Sequence, residues 1–384
     1  MNQAQATAAL DPIPEFDGLP VVVERDRTLR VKVIDACGLT CTFCHNEGTP
    51  VAQDNQKTEP VDFRPSGRSG RVSIYLATNG ARFLPATVFA DAEFTEVLDR
   101  LRSAMNVTEL HLTGGEPTLH PQLPALVAAG VESGFRVCMT SNGENGARVI
   151  AACAEAGLHR VNFSIFGTTA AELAQVQHHR FAGTRLAARK IRALQESIPL
   201  AVAHGVEVSA NIVVPGYDHA DRVRRLIDGY SPELSVRMLN SLDHGRSSLD
   251  AIARILDDLA AVPVCHRVTS GASGWRTQYR LPSGRSVWVK RIRPVRLPRT
   301  CAGCRFNNET DCQEGYYGVR LYRDRAGGFQ VGVCIQRMDL CQPVDGFLAG
   351  DLPAEIVSLR EAEHARLSRQ CRSAMKGFAH GYRI

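Results

Sequence analysis

No run of 18 apolar residues occurs in this chain of 384, so no hydrophobic membrane-spanning helix is expected. A secretory signal is missing too: Met1 to Leu10 is polar and Ala-rich, with neither a basic start nor an apolar core. Charge of one sign is also scarce. Against 45 Lys and Arg stand 40 Asp and Glu, a net of +5, too mild for general nucleic-acid binding. A composition of 44% hydrophobic and 22% charged residues is that of an ordinary globular protein. The length suits one large domain plus a smaller one, and the expected location is the cytoplasm. In that setting the 12 cysteines read as metal or redox ligands rather than disulfides.

Three of them organise the chain. Cys37, Cys41 and Cys44 stand at C-x3-C-x2-C spacing directly after the apolar strand Arg30-Val31-Lys32-Val33-Ile34. A tetrahedral zinc site wants four ligands, usually as two separated pairs. Three thiolates in one tight loop suit a [4Fe-4S] cluster, because each holds one iron and the fourth iron stays open to a small molecule. Phe43, just before the last cysteine, fits an apolar lid over such a cluster. A zinc site, or three unrelated core cysteines, is the plainer alternative. Residues 45–84 form a long polar stretch that either covers the open cluster or is an insertion, and His45 reads as a solvated loop histidine.

From residue 88 the pattern is regular. Helix 88–104, strand Glu109–Thr113, helix 121–133, strand Phe135–Thr140, helix 145–156, strand Arg160–Phe166, helix 181–198, strand 206–214, helix 218–228 and strand Leu234–Leu239 follow in turn. Strands alternating with helices imply right-handed crossovers and a parallel sheet. Counting from the cysteine-loop strand there are six, too few for a closed eight-stranded barrel. The fold expected is therefore α/β, a partial (β/α)6 barrel of the TIM type. In such folds ligands sit at the C-terminal strand ends, and the suspicious residues fall there. Thr113-Gly114-Gly115-Glu116-Pro117 follows the second strand; its glycines allow close backbone approach and Glu116 offers a carboxylate to an ammonium. Thr140 and Asn142 follow the third strand, and Asn162 and Ser164 share a face of the fourth. Ordinary strand-end capping is the plain alternative for Thr140, Asn142 and Ser164. No acid–base or nucleophile triad stands out.

Past residue 240 come a helix at 247–260, a turn-rich linker around Thr269–Gly274, and a hairpin of Gln278–Leu281 with Ser286–Ile292. The basic run Lys290–Arg296 is either a solvated strand or a site for an anionic substrate. A second cysteine field follows: Cys301, Cys304, Cys312, Cys334 and Cys341. It suits an auxiliary [4Fe-4S] cluster, with zinc as the alternative. Cys301 and Cys304 are the first ligands to name, then Cys334 and Cys312, with Cys341 in reserve; Cys138, Cys153, Cys265 and Cys371 read as core or surface thiols. Residues 352–374 read as a terminal helix and Gly377–Ile384 as loose. The domain division expected is 1–20 flexible, 21–245 barrel, 246–345 auxiliary cluster domain and 346–384 helix and tail.

The cysteine loop and Gly114-Gly115-Glu116 together resemble the radical S-adenosylmethionine (SAM) superfamily. With Thr140-Ser141-Asn142-Gly143, Arg160–Ser164 and the late cysteines, they resemble its GTP 3′,8-cyclase (MoaA-like) branch over roughly residues 28–342. The resemblance implies that the open iron chelates SAM, that Gly114, Gly115 and Glu116 recognise its amino group, and that Thr140, Asn142, Asn162 and Ser164 contact its ribose or carboxylate. It implies reduction by a donor such as flavodoxin or ferredoxin. SAM is then cleaved to methionine and a 5′-deoxyadenosyl radical, which takes hydrogen from a small or nucleotide-like substrate. Of the basic residues with which the branch holds GTP, Arg30 is kept, but His111 and Ser209 stand where an arginine and a lysine are expected. The family's terminal Gly-Gly is absent from the end Gly381-Tyr382-Arg383-Ile384. The branch uses three ligands for its second cluster, whereas here Cys312 lies inside the gap from Cys304 to Cys334. The expectation is a related radical reaction that is not GTP cyclisation. A radical SAM peptide maturase, which a short stretch before the first strand argues against, and a non-enzymatic metal-binding or redox-sensing protein are the alternatives.

Overall fold

A computed structural model describes residues 18–41, 65–66, 71–72, 85–177, 182–304, 306–308, 312–335 and 337–380, with side chains to residue 371 in the last helix. Cys44, Phe43, His45 and most of 45–84 lie outside the described residues; within that stretch Pro65–Ser66 pairs antiparallel with Arg71–Val72.

The strands that build the sheet are β1 Val21–Arg25, β2 Thr28–Ile34, β3 Glu109–Gly114, β4 Arg136–Ser141, β5 Leu158–Ile165, β6 Glu207–Val214 and β7 Ser235–Asn240. They are followed by β8 Val262–Ser270, β9 Gly274–Arg280, β10 Ser286–Ile292, β11 Val319–Asp324 and β12 Phe329–Gly332. The helices are α1 Ala92–Met105, α2 Leu123–Glu132, α3 Gly146–Glu155, α4 Ala170–Gln175, α5 Thr184–Ala203, α6 Ala220–Gly229, α7 Gly245–Asp258, α8 Val344–Ala349 and α9 Leu352–His380. β2 to β7 run parallel in the order in which the chain makes them, so the six expected barrel strands are all present.

Two departures from the sequence reading concern what lies beside those six. The supposed linker around Thr269–Gly274 is the turn of a hairpin, because Val262–Ser270 is a strand that pairs antiparallel with β9. β10 then pairs parallel with β7, and β1 pairs parallel with β8, so a single sheet of 14 strands runs through the chain position at which the barrel was expected to end. At the other side β11 adds parallel to β2, its Val319 opposite Leu29. β1 has no sequence signal, because five residues carry no helix-to-strand rhythm of their own. The end of α9 also corrects the loose tail, since helix continues to His380.

Each barrel strand has one apolar face and one polar face. On β5, Val161, Phe163 and Ile165 join the main core under the helices, while Arg160, Asn162 and Ser164 alternate with them. The polar face is concave: Arg30 on β2 and Lys290 on β10, six places apart in the sheet, both reach the ring of Tyr317. The twist of adjacent strands closes the sheet that far. Helix starts that bound this lumen are capped in the usual way; Asp91 accepts from the backbone of Phe94 at α1, and Thr169 with Glu172 forms a capping box at α4. Among the described residues no helix is long and apolar enough to cross a membrane.

Candidate functional site

The cysteine loop leaves β2 at the C-terminal edge of the barrel. Leu39 and Cys41 are buried against Leu173, Ala174, Ala187 and Ile191 of α4 and α5, which gives an otherwise irregular loop an apolar anchor. Polar contacts hold the rest. The Gln177 side chain accepts from the Thr40 backbone at 2.6 Å and donates to Cys41 Sγ at 3.5 Å. Glu144 accepts from the Gly38 backbone at 2.8 Å and is paired with Lys190 of α5. Asn142 Nδ2 donates to Cys37 Sγ at 3.6 Å. The two described sulfurs of the loop thus each face an amide donor. That fits thiolate ligands, which keep lone pairs for hydrogen bonds after binding iron.

The Gly-Gly-Glu turn closes on the same loop. The Gly115 amide donates to Ile34 O at 2.7 Å and the Glu116 amide to Ala36 O at 2.8 Å. A Cβ on Gly115 would lie 2.2 Å from Ala36 O, so only glycine permits this approach. Glu116 is buried, and its carboxylate accepts from Thr118 N, Thr118 Oγ1, Ser141 Oγ at 2.6 Å and Asn142 N at 2.6 Å. Burial pushes this carboxyl above its ordinary range, and those four bonds pull the other way. Glu116 therefore ties the turns after β3 and β4 together. Asn142, held by it, is carried to Cys37.

Lower in the lumen, Thr140 Oγ1 and His111 Nε2 are 2.8 Å apart. Burial drives the His111 pKa down to about 4, so the ring is neutral near pH 7. Asn162 Oδ1 accepts from Ser209 Oγ at 2.7 Å and from Arg237 Nη1 at 3.3 Å. Ser164, on the same strand face, is half-buried. Arg30 lies 4.4 Å from the Tyr317 ring centroid, with Arg320 at 4.7 Å and Lys290 at 5.4 Å from the same ring. Arg30, then Lys290, lowers the phenol pKa. Of this cationic group around one aromatic, only Arg30 was named from sequence. Lys290 belongs to a basic run whose role the sequence leaves open, and Tyr317 carries no local signal.

Cys301, Cys304, Cys312 and Cys334 line one cavity, together with Phe306, Tyr316 and Arg337. Leu297 N donates to Cys301 Sγ at 3.3 Å and Arg337 Nη1 to Cys304 Sγ at 3.8 Å. Burial pushes the Cys301 thiol up to about 11, the Leu297 amide works against it, and nearby Cys334 and Cys312 add to the rise. Cys341 packs with Tyr322 and Met338. Cys138 and Cys153 are buried thiols pushed up to about 12, first by burial. Among the described residues no three His, Cys, Asp or Glu converge closely enough to hold a single metal ion.

Residues 31–228 match the Radical SAM superfamily. The chain is similar to a probable GTP 3′,8-cyclase of Aeropyrum pernix, 28% identical over 285 residues, 72% of this chain and 69% of that protein. A probable GTP 3′,8-cyclase of Metallosphaera sedula is 26% identical over 306 residues, 77% of this chain and 81% of that protein. Among solved structures, Streptococcus suis SuiB bound to S-adenosylmethionine aligns at 14% identity with a TM-score of 0.42, over 65% of this chain and 51% of that one. The chain thus spans about half the length of that structure. A parallel six-strand barrel, a cysteine loop at its C-terminal edge, a Gly-Gly-Glu turn closed upon that loop and a family match over half the length make this chain an enzyme of the radical SAM superfamily, whose members use a [4Fe-4S] cluster and SAM.

Proposed function

We propose that Cys37, Cys41 and Cys44 hold the [4Fe-4S] cluster and that the chain acts on a small or nucleotide-like anionic substrate, in a reaction related to GTP 3′,8-cyclisation but distinct from it. When bound, the cluster and SAM supply reductive cleavage of the sulfonium and abstraction of hydrogen from the substrate. The chain's own residues bind, orient and exclude water. The Glu116 network fixes the floor of the SAM site, with the Gly114–Gly115 turn and the Asn142 side chain presented towards it, and with Thr140, Asn162 and Ser164 further in. Phe43, which lies outside the described residues, is the sequence candidate for an apolar lid over the cluster. A reductant such as flavodoxin or ferredoxin delivers the electron.

The observation that carries the substrate class is the grouping of Arg30, Lys290 and Arg320 around Tyr317 on the concave face. Three cations that share one ring repel each other, and a bound anion relieves that repulsion. What argues against GTP is the chemistry of two neighbouring positions. His111 is neutral and engaged with Thr140, and Ser209 is uncharged and engaged with Asn162. Neither offers the charge-assisted contact that a triphosphate asks for, each worth roughly 1.5–3 kcal/mol.

An auxiliary [4Fe-4S] cluster in the cavity of Cys301, Cys304, Cys312 and Cys334 is part of the same reading. Four thiols around one cavity, with an arginine and a backbone amide donating to two of the sulfurs, suit a cluster with every iron ligated by protein. The test of function is anaerobic incubation of the reconstituted enzyme with SAM, a reductant and GTP. The outcome expected is 5′-deoxyadenosine without the cyclised nucleotide. Stoichiometric 3′,8-cyclised product would overturn the distinction from GTP cyclase, and absence of SAM cleavage would overturn the cluster assignment.

A further inference from the structure

Glu144 and Lys190 form an ion pair against the cysteine loop, and the reaction proposed above does not use it. Glu144 lies in the turn after β4, two residues past the Asn142 that meets Cys37, and Lys190 lies on α5. The two side chains are only 12% and 17% exposed, so water and salt screen their charges little. One carboxylate oxygen of Glu144 accepts from the Gly38 backbone at 2.8 Å, and the other is paired with the Lys190 ammonium. The Glu144 amide donates to Asn142 Oδ1 at 2.8 Å, while Asn142 Nδ2 donates to Cys37 Sγ at 3.6 Å. Glu144 thus braces Cys37 twice. Its side chain holds the next residue of the loop, and its backbone holds the amide that faces the sulfur.

The elements that carry the pair are locked to each other. Ser197 Oγ of α5 donates to Gly143 O at 2.9 Å. Gly143, at a φ of 77°, packs so closely on α5 that a Cβ would lie 2.9 Å from Leu194 Cδ1. The same helix buries Leu39 and Cys41 of the cysteine loop through Ala187 and Ile191. Lys190 stands beside those anchors. Burial lowers its pKa and the charges of Cys37 and Glu116 work the other way, which places both within electrostatic reach of the ammonium. Taking an ammonium this far out of water costs desolvation. The packing of α5 does not call for it, since Ala187, Ile191, Leu194 and Ile198 already make up its buried face.

A carboxylate is the stronger kind of acceptor for a backbone N–H, and it suits the task of holding Gly38. Its charge is a drawback at this place. Reduction adds negative charge to a cluster already ligated by thiolates, and a bare carboxylate nearby opposes that step. We propose that Glu144 and Lys190 are positioning residues that form a charge-neutral clamp on the cluster loop: Glu144 fixes the Gly38 backbone beside Cys37, and Lys190 cancels the charge that this anchor sets against the incoming electron. The clamp rests on the assignment of the open cluster to Cys37, Cys41 and Cys44. It accounts for an ammonium that the helix packing does not need, and for its place opposite the one carboxylate bonded to the loop backbone.

The test is the reduction potential of the cluster whose electron paramagnetic resonance signal responds to SAM, measured by redox titration of the reconstituted enzyme. Glu144→Gln keeps an oxygen for the Gly38 N–H and leaves the ammonium unopposed, so the potential should rise. Lys190→Met leaves the carboxylate unopposed, so the potential should fall. Lys190→Arg should restore the natural value. Iron lost from Glu144→Gln would support the anchoring half of the clamp, and Lys190→Met then decides the charge half. A role in packing alone gives shifts of one sign, or none. The natural potential in both variants at full iron content, or shifts of the same sign, overturns the clamp and leaves the cluster assignment standing. Weaker SAM binding by Lys190→Met at an unchanged potential also overturns it, by making Lys190 a ligand of SAM. A natural enzyme with no SAM-responsive cluster overturns the cluster assignment and the clamp with it.

Discussion

His111 shows how much one side chain can change in being placed. As an isolated imidazole it would be half-charged near pH 6.5. On the concave face of β3 it is buried beside Thr140, and burial, reinforced by Arg30 and Arg160 and opposed by Glu109, brings its pKa to about 4. The folded pKa lies below the unfolded one, so the unfolded chain takes up the proton first as pH falls. The stability due to this residue is complete above about pH 6.5 and is lost progressively as pH falls towards 4. In urea unfolding, the natural protein should lose on the order of 2 kcal/mol more than His111→Gln between about pH 6.5 and pH 5. Parallel pH profiles for the two proteins would show that the imidazole is not buried as described. The neutrality also removes a cation from the concave face of the barrel.

At the scale of elements, the site depends on two turns locked together: the cysteine loop after β2 and the Gly-Gly-Glu turn after β3. Their register follows from the parallel pairing of the two strands, with Arg30 opposite His111 and Val31 opposite Leu112. The lock is tight enough that a methyl group on Gly115 would sit 2.2 Å from Ala36 O and 2.4 Å from Asp35 O, both backbone atoms that cannot rotate away. Gly115→Ala should therefore cost about 1–3 kcal/mol of stability. It should also lower iron retention by the cysteine loop, measured as iron per chain after reconstitution. Iron content and unfolding midpoint both at the natural level would mean that the turns are free to part. The motif spacing was readable along the chain. The hydrogen bonds from Gly115 to Ile34 and from Glu116 to Ala36 were not, since a turn in sequence does not show which neighbour it closes upon.

Across the whole molecule, one continuous sheet joins the barrel strands to β8–β10 on one side and to β11 and β12 on the other. Both cysteine fields are thereby attached to the same frame. The cavity of the late field separates Cys312 from Cys341, two residues that spacing alone left ranked but undecided. Cys312 lines it with Cys301, Cys304 and Cys334, while Cys341 packs beneath Tyr322. On the reading of a second cluster, Cys312→Ala should lower iron per chain and alter the electron paramagnetic resonance signal of that cluster. Cys341→Ala should leave both unchanged. The reverse pattern would move the fourth ligand to Cys341, and one zinc with a single cluster in the natural protein would remove the second cluster altogether.

Local order in the chain was enough to establish the alternation of strands and helices, the six parallel strands, the two cysteine fields and the superfamily. Each of these rests on residues close in sequence: an alternating strand such as Arg160–Ile165, a triad of cysteines within one loop, a glycine pair before a carboxylate. Such signals survive because backbone period and loop length act over a few residues. What the fold alone decided is which distant side chains share a space. Glu24 of β1 meets Arg267 and Arg276, Gln177 meets Cys41, and Tyr317 meets Arg30, Lys290 and Arg320. A cavity at the N-terminal end of the barrel is likewise assembled from residues of β5, β6, β7, β8, β9 and β10. The physical reason is the curvature of the sheet. Strand twist and the order of pairing determine which inward-facing residues converge, and neither quantity is written into any one strand.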